Sequence, residues 1–70
     1  MTEEKARKIL ENYKKVNKIT GEVYFDGLII DKYLGNNTFR CRKKGFEYES
    51  VLDMPEFYVR DDGNVLLLPK

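Results

Sequence analysis

The sequence predicts an α+β fold, with one N-terminal amphipathic helix packed on a strongly curled antiparallel β-meander of about five to six strands. Three observations carry this reading: a helical period confined to residues 3–16, a period of two from Ile19 onward, and the turn pairs Asp26-Gly27, Lys44-Gly45 and Asp62-Gly63 between apolar runs. The strands either stay an open, curled sheet or close into a small SH3-like or OB-like barrel with the helix at one end.

The helix is justified by its stripe. Ala6, Ile9, Leu10, Tyr13 and Val16 fall on one face. Thr2 suits the N-cap, Glu3 and Glu4 suit the positive end of the helix dipole, and Lys14 and Lys15 suit the other. Asn17 reads as a left-handed stop.

The first hairpin, 19–34, folds about Asp26-Gly27, the pair that a type I′ turn prefers. This register sets Phe25 opposite Leu28, Val23 opposite Ile30 and Ile19 opposite Leu34 on one apolar face. Glu22 then faces Asp31 on the other side. Gly35-Asn36-Asn37 turns the chain into the second hairpin, 38–52.

In that second hairpin, with Lys44-Gly45 as its loop, Arg42 faces Glu47 and Arg40 faces Glu49, while Cys41 meets Tyr48 and Phe39 meets Ser50. After the break at Asp53-Met54-Pro55, the third hairpin, 57–68, turns at Asp62-Gly63. There Val59 faces Leu66 and Phe57 faces Leu68.

Length and inventory then narrow the function. Seventy residues form one domain, 1–70, with a thin core that commonly needs a staple or a partner. One cysteine excludes an internal disulfide. With no histidine, the Cys/His zinc sites and histidine-based catalysis drop out. The expectation is a non-enzyme without cofactor or bound metal, and the single thiol and the polar N-terminus point to the cytoplasm. No apolar run reaches membrane-spanning length, so no membrane partner is expected. Thirteen basic against twelve acidic residues give a net charge of +1, which supplies no long-range field toward a polyanion.

Two binding readings remain. The leading one is a protein-binding module acting through a tyrosine-rich sheet face of Tyr24, Ile29, Tyr33, Tyr58, Arg60 and Leu67, joined by Val51 and Val65. Its partner is another protein or a second copy of the chain. The size class suits an accessory or inhibitory protein such as those of mobile genetic elements. The alternative is a small barrel that binds RNA or single-stranded DNA through Arg40, Arg42, Lys43 and Lys44, with surface tyrosines stacking on bases.

The stretch Leu34-Gly35-Asn36-Asn37-Thr38-Phe39-Arg40-Cys41-Arg42, continued through Gly45 and Val51, resembles the region of strands two and three in small OB-fold translation factors. The helix followed by strands is similar to Sm-type small barrels. The first resemblance implies a small OB-fold barrel and the second a barrel that binds RNA as a ring, and no functional residue is taken over from either.

Overall fold

The computed structural model describes residues 1–45 and 50–69, with the backbone alone at Val51. Helix α1 spans Glu3–Glu11, followed by strands β1 (Lys14–Val16), β2 (Val23–Asp26), β3 (Leu28–Gly35), β4 (Thr38–Lys43), β5 (Glu56–Val59) and β6 (Val65–Leu67). A 3₁₀ turn covers Val51–Asp53. The strands form two antiparallel sheets, a ribbon of β1 and β2 and a four-stranded sheet in the order β3-β4-β5-β6. The fold is thus α+β, with an open four-stranded sheet where a closed barrel was one expectation.

The helix starts where its sequence directs. Thr2 Oγ1 accepts a hydrogen bond from the Lys5 N–H at 3.2 Å, and Arg7 pairs with Glu3 at 2.9 Å one turn apart. It ends five residues before the expected Val16. Asn12 donates its side-chain amide to the Lys8 carbonyl at 2.8 Å, and Tyr13 leaves the helix to pack between Phe25 and Phe57. Strand pairing of Lys14–Val16 with β2 then outweighs the helical propensity of the two lysines, since tertiary context overrides propensity.

The hairpin expected over 19–34 does not form. Asp26-Gly27 is a joint between the two sheets, not a loop: β2 pairs back onto β1, with Lys15 opposite Phe25, while β3 pairs with β4. Gly27 has the left-handed backbone that the sequence predicted (φ 81°), but its N–H donates to the Tyr13 carbonyl at 2.6 Å. Ile19, expected in the core opposite Leu34, is therefore left at the tip of the ribbon. Glu22 precedes β2 in the loop and Asp31 is in β3 of the other sheet, so the two are not paired.

The β3–β4 hairpin does turn at Asn36-Asn37, both with positive φ (51° and 55°), as a type I′ loop requires. Asp31 and Leu34 are extra residues in its ladder. Phe39 lies between Tyr33 and Phe57 in register, so it does not meet Ser50, and Arg40 lies between Lys32 and Glu56. The Cys41 N–H donates to the Pro55 carbonyl at 2.9 Å. The partners expected at Glu47, Tyr48 and Glu49 fall outside the described residues.

In the last hairpin Phe57 pairs with Leu67, Tyr58 with Leu66 and Val59 with Val65. The loop is longer than Asp62-Gly63 alone: Arg60 N–H donates to the Asn64 carbonyl at 2.8 Å and Gly63 N–H to the Arg60 carbonyl at 2.9 Å. This register is one residue away from the expected one, and a one-residue slip exchanges the faces of a strand. Val65 and Leu67 consequently share the core side, and Leu66 the outer side.

Helix and ribbon both lie against one face of the four-stranded sheet. Ala6, Leu10, Leu28, Phe39, Cys41, Phe57 and Val59 form the buried core, with Tyr13, Phe25, Ile30 and Tyr33 packed around it. The rings of Phe25 and Phe57 meet edge to face at 5.5 Å. Such a contact is needed, because a two-stranded ribbon alone is at best marginally stable in water.

Candidate protein-binding surface

The six residues of the expected sheet face separate in the structure. Ile29 and Tyr58 lie on the outer face of the four-stranded sheet, the side away from the core. Tyr33 lies on the core side, its ring 4.9 Å from that of Phe39 and its hydroxyl accepting from the Asn37 N–H at 3.3 Å. Arg60 is in the last turn, beside Asp62 at 3.7 Å, and lines a shallow cleft with Tyr58 and Leu66. Tyr24 belongs to the ribbon and Leu67 to β6. Val65 is on the core side, and the side chain of Val51 lies outside the described residues.

Tyr24 and Leu67 nevertheless come together. With Lys15, Phe25 and Lys43 they line an open cleft of about 400 Å³ between the ribbon and the main sheet. The ribbon geometry explains how: Tyr24 is the extra residue of a bulge, inserted between the Lys15–Phe25 and Val16–Val23 pairs, so it and Phe25 reach the same concavity. Leu67 arrives from the other side because of the register of β6. Its lining is aromatic and aliphatic apart from Lys15 and Lys43. A larger cleft, about 560 Å³, lies beside β3, and charged and polar side chains such as Arg7, Glu11 and Asn12 dominate its lining together with the strand itself.

The ribbon carries two further exposed apolar residues. Val16 and Val23, a register pair, are 36% and 45% exposed. Beyond them Ile19 is 95% exposed in a loop held by several hydrogen bonds. Asn17 Oδ1 accepts from the Ile19 and Thr20 N–H groups at 2.9 and 3.2 Å, and its side-chain amide donates to the Tyr24 hydroxyl at 3.0 Å. The Asn17 N–H donates to the Glu22 carbonyl and the Gly21 N–H to the Asn17 carbonyl, both at 2.8 Å. Asn17 is thus the organiser of a turn, not the end of a helix. Its signal was present in the sequence, since Asn, Thr and Gly at positions 17, 20 and 21 are turn formers between two short apolar runs.

The basic residues of the alternative reading also disperse. Arg40 pairs with Asp31 at 3.0 Å, and Lys32 lies beside it in register. Arg42 pairs in register with Ile29, and its Nε is buried with no hydrogen-bond partner among the described residues. Lys43 lines the cleft, on the core side of the sheet, while the Lys44 amine sits beside Gly27 near the end of the helix. The four therefore do not form one stripe.

Chemically reactive groups are few. Cys41 is fully buried, and burial, with Asp31 nearby, pushes its thiol up to about 12. At neutral pH it carries its proton, the ordinary state of a core thiol. Asp62 is held below the usual carboxylate range, chiefly by the hydrogen bond from the Asn64 N–H at 3.0 Å, which is turn chemistry. Among the described residues no group of three potential metal ligands occurs, and no helix is long and apolar enough to cross a membrane.

Comparisons with protein-family models, with curated proteins and with solved structures find no match to this chain.

Proposed function

We propose that this chain is a non-enzymatic protein-binding module whose binding surface is the cleft between the ribbon and β6. The observation that supports it is the convergence of Tyr24, Phe25 and Leu67 with Lys15 in one concavity, from segments far apart in the sequence. An aromatic and aliphatic floor next to an ammonium group suits a peptide segment that carries an apolar side chain beside a carboxylate. The absence of histidine from the sequence and the protonated, buried Cys41 thiol support the non-enzymatic part. A module of this kind suits an accessory or inhibitory role exerted by occupying a partner's surface.

The test is an NMR-detected titration with a short peptide holding adjacent leucine and glutamate residues, run in parallel with a single-stranded oligonucleotide. The expected result is shifts at Lys15, Tyr24, Phe25 and Leu67 with the peptide, and affinity about tenfold lower or worse in Tyr24→Ala, as for a central aromatic anchor. Peptide shifts confined to other surfaces overturn the reading. Salt-sensitive oligonucleotide binding at these residues, in preference to the peptide, assigns the cleft to nucleic acid instead.

A further inference from the structure

We propose that the free edge of β3 at Leu28–Ile30 binds an extended segment of another protein as an added strand, at a site separate from the cleft between the ribbon and β6. The main sheet has two edges, β3 and β6. The β6 edge is three residues long and runs into Pro69, whereas β3 has eight residues. Its edge is open because β2, expected to lie against it, pairs with β1 instead.

The phase of the ladder fixes which groups face outward. In an antiparallel sheet the N–H and C=O of successive residues point to alternate sides. The Cys41 N–H donates to the Pro55 carbonyl and the Val59 N–H to that of Asn37, so odd-numbered residues from 37 onward turn toward β5 and even-numbered ones toward β3. Arg42 is therefore the hydrogen-bonded partner of Ile29, while Leu28 and Ile30, opposite Lys43 and Cys41, direct their N–H and C=O away from the sheet. No hydrogen bond from the described residues reaches these groups on that side. Leu28 is only 1% exposed, so its main-chain groups are both shielded and unmatched, a state that folded chains avoid unless something else supplies the partners.

The larger cleft, about 560 Å³, runs beside them. Leu28, Ile29 and Ile30 all line it, and since their side chains alternate between faces, what the three share toward it is the edge of the strand. The C-terminal half of α1 forms the other wall through Arg7, Glu11 and Asn12. Donors and acceptors repeating at every second residue match an extended backbone. The extra residues Asp31 and Leu34 break the rhythm beyond Ile30, so the added strand is short and its binding weak. Two cations, Arg7 and Lys44, against one carboxylate, Glu11, favour a neutral or acidic segment over a basic one.

An NMR titration with the hexapeptide Thr-Val-Thr-Val-Glu-Thr tests the proposal. The expected result is a downfield shift and slowed exchange of the Leu28 and Ile30 amides, with little change at Ile29, whose amide is already bonded within the sheet. Two versions of the peptide, N-methylated at one or the other set of alternate residues, give the discriminating comparison. The set whose N–H groups face β3 should bind about tenfold more weakly for the hydrogen bonds lost, and the complementary set should bind as the parent does. Lysine in place of the glutamate should also weaken binding. Unchanged Leu28 and Ile30 amides at millimolar peptide, or equal binding by both methylated peptides, overturn the proposal and leave this edge to ordered water. Shifts at Tyr24 and Leu67 report on the ribbon cleft, so the two sites stand or fall separately.

Discussion

Replacing Phe57 by alanine is expected to cost about 3–5 kcal/mol, the range for removing a fully buried aromatic ring. For a chain of this length the whole stability is only ~4–10 kcal/mol, from typical values per residue. The variant should therefore be close to unfolding at room temperature. Phe57 has this weight because of where it stands. It is completely buried, pairs in register with Phe39 of β4 and Leu67 of β6, and its ring meets those of Phe25 at 5.5 Å and Tyr13 at 6.0 Å. Loss of the ring opens the main core and releases the ribbon together. The control is Leu66→Ala, next along the outer face of the same hairpin, which should cost less than about 1 kcal/mol. Urea unfolding followed by circular dichroism measures both, and equal losses would contradict this packing.

Gly27→Ala is the second large effect, expected at about 2–5 kcal/mol. Part of it, ~1–2 kcal/mol, is the cost of placing an L-residue in the left-handed region, here at φ 81°. The remainder is steric and is estimated from the ~1–3 kcal/mol typical of overpacking. A methyl group at this position would stand 2.8 Å from the Lys44 amine and 2.9 Å from the Glu11 carbonyl oxygen. The lysine can swing away; the helix backbone cannot without lengthening the 2.6 Å bond from the Gly27 N–H to the Tyr13 carbonyl. Gly63→Ala gives the comparison, because its φ of 89° carries the same backbone cost while its Cβ would meet open space. A larger loss at Gly27 than at Gly63 in the same unfolding assay reports the close approach, and equal losses would show that it does not exist.

What the sequence made legible was local. The cap at Thr2, the buried stripe of Ala6 and Leu10 and the Asn36-Asn37 turn depend on neighbours a few residues apart, and the structure has them. Pairing between strands was less legible, because a period of two says that a segment is extended and not which segment lies beside it. Asp26-Gly27 shows the difference. The left-handed glycine is present, but the chain uses it to step from the ribbon to the main sheet, with β1 taking the partner that β3 was expected to supply.

The binding surface was affected most by this. In the last hairpin one residue of register decided that Leu67 and Val65 would lie on the core side with Phe57 and Val59. In the ribbon the early helix stop freed Lys14–Val16 to pair with β2, which moved Ile19 from an expected core position to an exposed tip. Tyr24 and Leu67 are exposed, but Leu67 is on the core side of its sheet and not on the outer face expected for it, and the cleft the two share needed the topology. Tyr33 was misplaced because Asp31 is an extra residue in β3, which reverses the alternation beyond it and turns the Tyr33 ring onto Phe39.

Both binding proposals depend on the ribbon existing as a separate element folded back onto residues 14–16. The most direct measurement is a set of cross-strand nuclear Overhauser contacts in the folded chain. Contacts between Lys15 and Phe25 and between Val16 and Val23, with the Phe25 ring close to Phe57, are the predicted result. Contacts of Phe25 with Leu28 and of Val23 with Ile30, the pattern of a tight hairpin about Asp26-Gly27, would contradict it.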